Sequence, residues 1–406
     1  MQRLAVNPVE LGFSAERLGR IEAGIQRYLD RHLVAGVVCL VARRGEVVQL
    51  GNYGYLDIAS GQPMPADAIF RIASMTKPVT AAGVMQLLEE GWFELDDPIA
   101  EFLPEFRDTQ VWAAETADGI ATTRLERPIT IRHLLTHTSG LTYPFEQPLG
   151  TSEAATSVAA YYAREQLWGF DELLADKVTR LARLPLVHQP GDGWTYGFSI
   201  DVLGRLIEVV SGQALDAYLQ SRLFEPLGMV DTAFHVPGSE RHRVPTVYER
   251  RDGGLVATEA GIGVQLGQRP VFLMGGGGLF STVTDYGHFA QMLAQGGAYQ
   301  GEQLLGRKTV ELMLASQMRA SQIPFVPPQW DFRQGWGMAL GGRTLVDVAA
   351  WGSPGSVGTY TWQGAYSTDF WVDPREELVG VFMHQQFPDW TRPARTFRTL
   401  VYQALT

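Results

Sequence analysis

Apolar residues recur at helical spacing through residues 14–33, where Leu18, Ile21, Ile25 and Leu29 fall on one face. Ser14 stands where an N-cap belongs, so the spacing predicts an amphipathic helix. The period then changes. Residues 36–42 and 46–51 are aliphatic and β-branched, with Arg43-Arg44-Gly45 between them, and this pattern predicts two strands joined by a turn. A further helix is expected to begin near Ser74 and to end before Gly91. A short helix should follow, with Asp97 as its cap and Pro98 in its first turn. Thr130 to His137 reads as another, with Gly140 as terminator.

From about residue 108 to 265 the pattern is mostly helical with long loops, clearest over 152–184 and from Asp201 to Ser211, before Gly212. From 343 onward the texture returns to strand. Ala365 to Val372 and Leu378 to Met383 are apolar and aromatic, joined by the turn Asp373-Pro374-Arg375-Glu376. Arg395 to Ala404 fits a terminal helix. Strand-rich ends around a helical middle predict an α+β protein. Early and late strands would share one antiparallel sheet covered by the terminal helices. Residues 1–107 and 266–406 would form that α/β domain, and 108–265 a mostly helical inserted domain. Internal repeats and low-complexity tracts are absent. The run Gly275-Gly276-Gly277-Gly278 reads as a place where backbone approaches a neighbouring element or a ligand.

Composition narrows the function. The chain has 406 residues and a net charge of −11, which sets it against nucleic acid and anionic membranes as partners. No apolar stretch approaches the ~20 residues of a membrane span, and the N-terminal segment lacks the apolar core of a signal peptide. A cytoplasmic address is expected. The single cysteine, Cys39, lies in the apolar run Val37 to Val41 and reads as a core residue, leaving no intrachain disulfide. Lysine is scarce (Lys77, Lys177 and Lys308), and the asparagines are Asn7 and Asn52.

That scarcity gives weight to Ser74-Met75-Thr76-Lys77, the one S-x-x-K in the chain. Serine and lysine three apart share a helical face and can exchange a proton. A serine hydroxyl becomes a competent nucleophile only when a base takes its proton. The apolar neighbours Ile72, Ala73, Met75 and Val79 would desolvate the lysine, and a helix N-terminus would favour a developing oxyanion. The tetrapeptide by itself equally fits a capping serine with a solvated lysine. Competing signatures are missing: no G-x-S-x-G, H-E-x-x-H or paired-cysteine site occurs. His133 and His137 are four apart, but no third ligand has diagnostic spacing, so they read as structural. No metal or cofactor is expected.

Four segments in order carry a resemblance. Phe70 to Lys77 resembles the first motif of class C β-lactamases and family VIII carboxylesterases. His133-Leu134-Leu135-Thr136-His137-Thr138-Ser139-Gly140-Leu141 resembles the segment that follows it in that superfamily. Pro190 to Ser199 resembles the second motif, whose tyrosine is Tyr196 here, and Trp362-Gln363-Gly364 resembles a W-G-G-like third motif. The resemblance implies a β-lactamase-like fold with the active site between sheet and helical domain. It implies Ser74 as nucleophile and Lys77 and Tyr196 as its activators, titrating as a unit. It implies an oxyanion hole from the backbone N–H groups of Ser74 and Ala365, and Tyr143, Phe198, Trp362 and Gly364 around the substrate. Gly364 is expected to leave room for that substrate.

Two departures bear on substrate. Phe198 stands where the lactamases carry asparagine, and Trp362 where their third motif carries the lysine that holds a β-lactam carboxylate. Aromatic surface in place of polar anchors implies a small or short-chain ester as substrate and partner. The alternatives are a β-lactamase, a D-amino-acid peptidase or amidase, or an acyltransferase with the same site. A non-catalytic scaffold or sensor of this fold is a further alternative. The oligomeric state is not encoded legibly.

Overall fold

Arg44 and Gly45 both hold positive φ, +53° and +82°, with Arg43 paired to Glu46 across them. A two-residue loop of that kind matches the twist of the strands it joins. It connects β1 (Gly36–Arg43) to β2 (Glu46–Asp57). The computed structural model describes residues 7–116, 119–146, 154–259, 266–318, 334–388 and 392–406.

The hairpin belongs to an eight-stranded antiparallel sheet. Its other strands are β3 (Gln62–Pro63), β4 (Trp336–Met338), β5 (Arg343–Leu345), β6 (Tyr360–Gly364), β7 (Thr368–Asp373) and β8 (Leu378–Met383). The order is β4-β5-β6-β7-β8-β1-β2-β3. The first and last parts of the chain meet at β1 and β8, where Cys39 opposes Phe382. Both faces of β1 are covered, so every residue from Gly36 to Arg43 is buried. That is why the segment reads as a continuous apolar run rather than an alternation.

On one face, Val37, Cys39, Val41, Trp371 and Phe382 pack with Ile21 and Ile25 of α1 (Arg20–Asp30) and Phe397 and Val401 of the terminal helix α5 (Pro393–Tyr402). On the other, Leu40, Phe370 and Val381 meet Tyr286 and Phe289 of α4 (Val283–Ala294). Beyond lies α2 (Thr76–Glu89), with Thr76 through Leu87 all buried. A helix covered on every side shows little amphipathic periodicity. Its Gly83 lets it approach Ile207 of α3 (Ser199–Ser211) and the neighbouring Tyr218 and Leu219, where a Cβ would sit 3.2–3.3 Å from their side chains.

The chain belongs to the expected fold class, with local differences. The first helix is broken at Gly19, and Ser14 caps a short turn, Ala15–Leu18. Asp97 does not cap a helix; its carboxylate accepts from the Glu94 N–H, and a single 3₁₀ turn, Ile99–Glu101, follows Pro98. The run from Ala365 is not strand throughout: β6 ends at Gly364, and Ala365-Tyr366-Ser367 turn the chain into β7, with Ser367 at φ +72°. Between 108 and 265 the helices are accompanied by two hairpins, Gln110–Thr116 with Gly119–Arg124 and Tyr248–Arg251 with Gly254–Ala257. Among the described residues no helix is long and apolar enough to cross a membrane.

Candidate active site

Three backbone arrangements bring the site together. Phe70–Arg71 pairs with Phe280–Ser281, and the chain then turns through Ala73 at φ +41° into a 3₁₀ turn, Ala73–Met75, that leads into α2. A non-glycine residue in the left-handed region is costly and is held there by its surroundings. Here it presents Ser74, partly exposed, at the head of a buried helix. Second, the loop carrying Tyr196 is pinned by its neighbour, as the Thr195 N–H donates to the His137 carbonyl at 2.9 Å. Gly197 allows this loop to lie on the Leu141–Thr142 backbone, where a Cβ would come within 2.4 Å of Leu141 O. Third, the end of β6 lies against the turn that carries Ser74, with Gly364 packed on the Ile72 backbone.

Ser74 Oγ receives two hydrogen bonds, from the Tyr196 hydroxyl at 2.6 Å and from Lys77 Nζ at 3.2 Å. Lys77 is 1% exposed. Its ammonium also donates to the Gly276 carbonyl at 2.5 Å and to the Tyr143 hydroxyl at 3.3 Å, and it lies 4.5 Å from the centre of the Tyr196 ring. These contacts satisfy a buried ammonium without a carboxylate touching it. His137 is buried against Tyr196, ring centres 4.8 Å apart. Burial and the nearby Lys77 charge push its imidazole well below the ordinary histidine range, so it is neutral here. His133 is occupied elsewhere: its ring and backbone complete the Thr130 cap of the helix Ile131–Leu135. Among the described residues no cluster of histidine, cysteine and carboxylate side chains is arranged to hold a metal ion.

The structure distributes the expected substrate residues unevenly. Tyr143 reaches the site through its hydroxyl. Trp362 flanks Tyr196 at 5.8 Å between ring centres. Phe198 does not line the cleft: it is 1% exposed and packs behind Tyr143, centres 4.7 Å apart. The reason for Gly364 also differs from the expected one. A Cβ there would meet Ile72 O at 2.3 Å and Thr368 Oγ1 at 2.2 Å, so protein backbone, not substrate, requires the glycine. This close approach puts Ala365, partly exposed, beside the Ser74 turn.

Sequence reasoning missed two participants. The glycine run was visible but not tied to the site; its Gly276 carbonyl is an acceptor for Lys77. Asp201, fully buried in the first turn of α3, accepts from the Gly276 N–H at 3.0 Å. The available signal was an acidic residue inside the apolar stretch Ile200-Asp201-Val202-Leu203. Phe145 and Trp168, half-buried, continue the aromatic surface outward from Tyr143 at 5.1 and 5.4 Å.

The beta-lactamase family profile matches residues 21–404. The chain belongs to the beta-lactamase family. Esterase EstB of Burkholderia gladioli is 31% identical over 388 residues, covering 92% of each chain. Protein Rv1367c of Mycobacterium tuberculosis is 36% identical over 371 residues, covering 91% of this chain and 90% of that one. Among solved structures, EstCE1, described as a hydrolase with promiscuous acyltransferase activity, superposes with a TM-score of 0.80. It is 26% identical, over 95% of this chain and 99% of that one. The β-lactamase-like fold and the hydrolase character expected from the sequence therefore hold: this is a serine hydrolase of the beta-lactamase family.

Proposed function

We propose that this member of the family is a carboxylesterase that cleaves small or short-chain esters through an acyl-enzyme on Ser74. The observation that carries the reading is the convergence of Tyr196 and Lys77 on Ser74 Oγ at 2.6 and 3.2 Å beside Trp362. Oγ adds to the ester carbonyl as its proton passes to the Tyr196–Lys77 pair in its singly deprotonated form, either the Tyr196 phenolate facing the Lys77 ammonium or the phenol facing the neutral amine, with Nζ 4.5 Å from the centre of the tyrosine ring. The backbone N–H groups of Ser74 and Ala365 receive the oxyanion. Collapse breaks the ester C–O bond, and Tyr196 returns the proton to the leaving alkoxide. Water repeats the sequence on the acyl-enzyme, releasing acid and regenerating Ser74.

An ester is favoured over a lactam because Trp362 supplies apolar surface where a carboxylated lactam needs a cation. Loss of one charge-assisted hydrogen bond costs about 1.5–3 kcal/mol, or roughly one to two decades of affinity. Burial of an apolar acyl group against the ring gains ~25 cal/mol per Å². The test compares p-nitrophenyl butyrate with nitrocefin and a penicillin on one preparation, with Ser74→Ala as control. We expect ester kcat/KM to exceed lactam kcat/KM by at least about a hundredfold, with both lost in the control. Lactam turnover equal to the ester's would overturn the esterase reading.

A second reading, acyl transfer to an alcohol, uses the same acyl-enzyme, and the character of EstCE1 favours it. Adding an alcohol and measuring the ratio of new ester to free acid separates the two.

A further inference from the structure

Asp201 is a buried acidic side chain that feels the Lys77 charge and has no part in the chemistry above. It is 0% exposed. Its Oδ1 accepts from the Gly276 N–H at 3.0 Å, while Oδ2 has no hydrogen-bond partner among the described residues. Gly276 in turn offers its carbonyl to Lys77 Nζ at 2.5 Å. The glycine is squeezed between the two groups: a Cβ would lie 2.8 Å from Asp201 Oδ2 and 2.9 Å from the Tyr143 hydroxyl. Gly275 is fixed beside it, its carbonyl accepting from Thr80 Oγ1 of α2 at 2.8 Å. The glycine turn is therefore clamped between α2 and α3, with the Gly276 carbonyl aimed at the ammonium.

An unpaired carboxylate oxygen in this position is expensive, and a packing role alone does not call for one. Resting on the esterase reading, we propose that Asp201 is a positioning residue for Lys77: it holds Gly276, and so aims the Gly276 carbonyl, while its charge balances the buried ammonium at a distance.

The charge makes the arrangement dependent on pH. Burial pushes the Asp201 carboxyl up to about 6, against the opposing pull of Lys77, the Gly276 N–H and Lys177. The groups that face it are Lys77 from α2, Lys177 from the helix Leu174–Ala182, and Tyr143, with Tyr196 and His137 behind them. Tyr143 is held well above the ordinary tyrosine range by burial and by Asp201, and His137 well below the histidine range. Both shifts favour the uncharged form of their group. Above about 6 the carboxylate is ionised and Lys77 is held; below it the counter-charge is lost.

The experiment measures two rates on the full chain from pH 4.5 to 9: kcat/KM for p-nitrophenyl butyrate, and the rate of covalent labelling by a fluorophosphonate. In the wild type both should fall on an acid limb centred near 6. Asp201→Asn keeps an acceptor for Gly276 and removes the charge. It should lower kcat about tenfold at pH 8, leave KM within about twofold, and remove the acid limb. A wild-type profile flat between pH 5 and 7 overturns the proposal, as does an Asp201→Asn enzyme with the wild-type limb and kcat. If that variant does not fold, Gly276→Ala replaces it, because the added methyl displaces the same backbone; unchanged kcat there overturns the clamp. Absence of labelling at every pH would instead remove the Ser74 reading on which this inference stands.

Discussion

Gly364→Ala is the sharpest test of how the sheet serves the nucleophile. The new Cβ would stand 2.2 Å from Thr368 Oγ1, 2.3 Å from Ile72 O and 3.1 Å from Ile72 C. Ordinary contacts begin near ~3.5 Å, so roughly an ångström of separation must be found. The threonine hydroxyl can rotate away. Ile72 O cannot, because it belongs to the backbone two residues before Ser74. Either β6 withdraws and carries the Ala365 N–H with it, or the nucleophile turn moves and carries Ser74. Oxyanion donors act over about 2.7–3.1 Å, so an ångström of opening removes one of them. Loss of one such donor lowers kcat by about 10²–10³-fold, equivalent to about 2.7–4 kcal/mol. KM should change little, since the interaction is made in the transition state. Overpacking also costs about 1–3 kcal/mol of stability, so thermal unfolding is measured beside the saturation kinetics. Adding Thr368→Ala relieves the side-chain clash and leaves the backbone clash, so it should not restore kcat. A variant that unfolds cooperatively and keeps kcat within about threefold of wild type would refute the reasoning.

Two further predictions follow from the same contacts. Lys77→Ala and Tyr196→Phe should each reduce kcat by about 10²–10⁴-fold, and the double variant should lose much less than the product, because both groups serve one oxygen; multiplicative losses would assign them to separate steps. Asp201 should also show in stability. Its folded carboxyl sits at about 6 against an ordinary 3.8, so its stabilising contribution is complete below 3.8 and is lost as pH rises through 6. By pH 8 the cost is about 3 kcal/mol. The Tm difference between Asp201→Asn and wild type should therefore favour the variant more at pH 8 than at pH 4, and a difference independent of pH would contradict it.

Much of this was legible in the chain because the relevant patterns are local. The β1–β2 hairpin announces itself in two apolar runs around Arg44-Gly45, and β8 in the run Leu378 to Met383. Ser74 and Lys77 are three apart, so their meeting follows from helix geometry. Tyr196 is 122 residues from Ser74, and only the ordered motifs suggested that the two meet. What was hidden is non-local or too short to carry a period. Trp336–Met338 and Arg343–Leu345 have three residues each and become strands only by pairing. Phe198 was read as a cleft wall from its place in a motif, but its burial depends on Tyr143 arriving from another segment. Gly364 looked like room for a ligand, and the room is filled by the carbonyl of Ile72, 292 positions away in the chain. Spacing reports which face a residue shares, not what stands opposite.

The acceptors around Lys77 explain why the two departures from the lactamase pattern belong together. An ammonium has three N–H donors. Here they meet Ser74 Oγ, the Gly276 carbonyl and the Tyr143 hydroxyl, at 3.2, 2.5 and 3.3 Å. With Phe198 in place of a polar residue, the motif that carries Tyr196 offers Lys77 no side-chain amide. The missing acceptor is supplied from elsewhere, by backbone at Gly276 and by Tyr143. Phe198 then backs the Tyr143 ring and fixes where its hydroxyl points. A lysine saturated in this way has no donor left for a substrate carboxylate, and the position that could have provided a second cation is Trp362. On the proposed esterase reading, neither position would hold a substrate carboxylate, while the hydrogen bonds to Ser74 Oγ are kept. On that reading the site would keep the means to form and break an acyl bond and would leave recognition to aromatic surface, which selects by shape and apolar area rather than by charge.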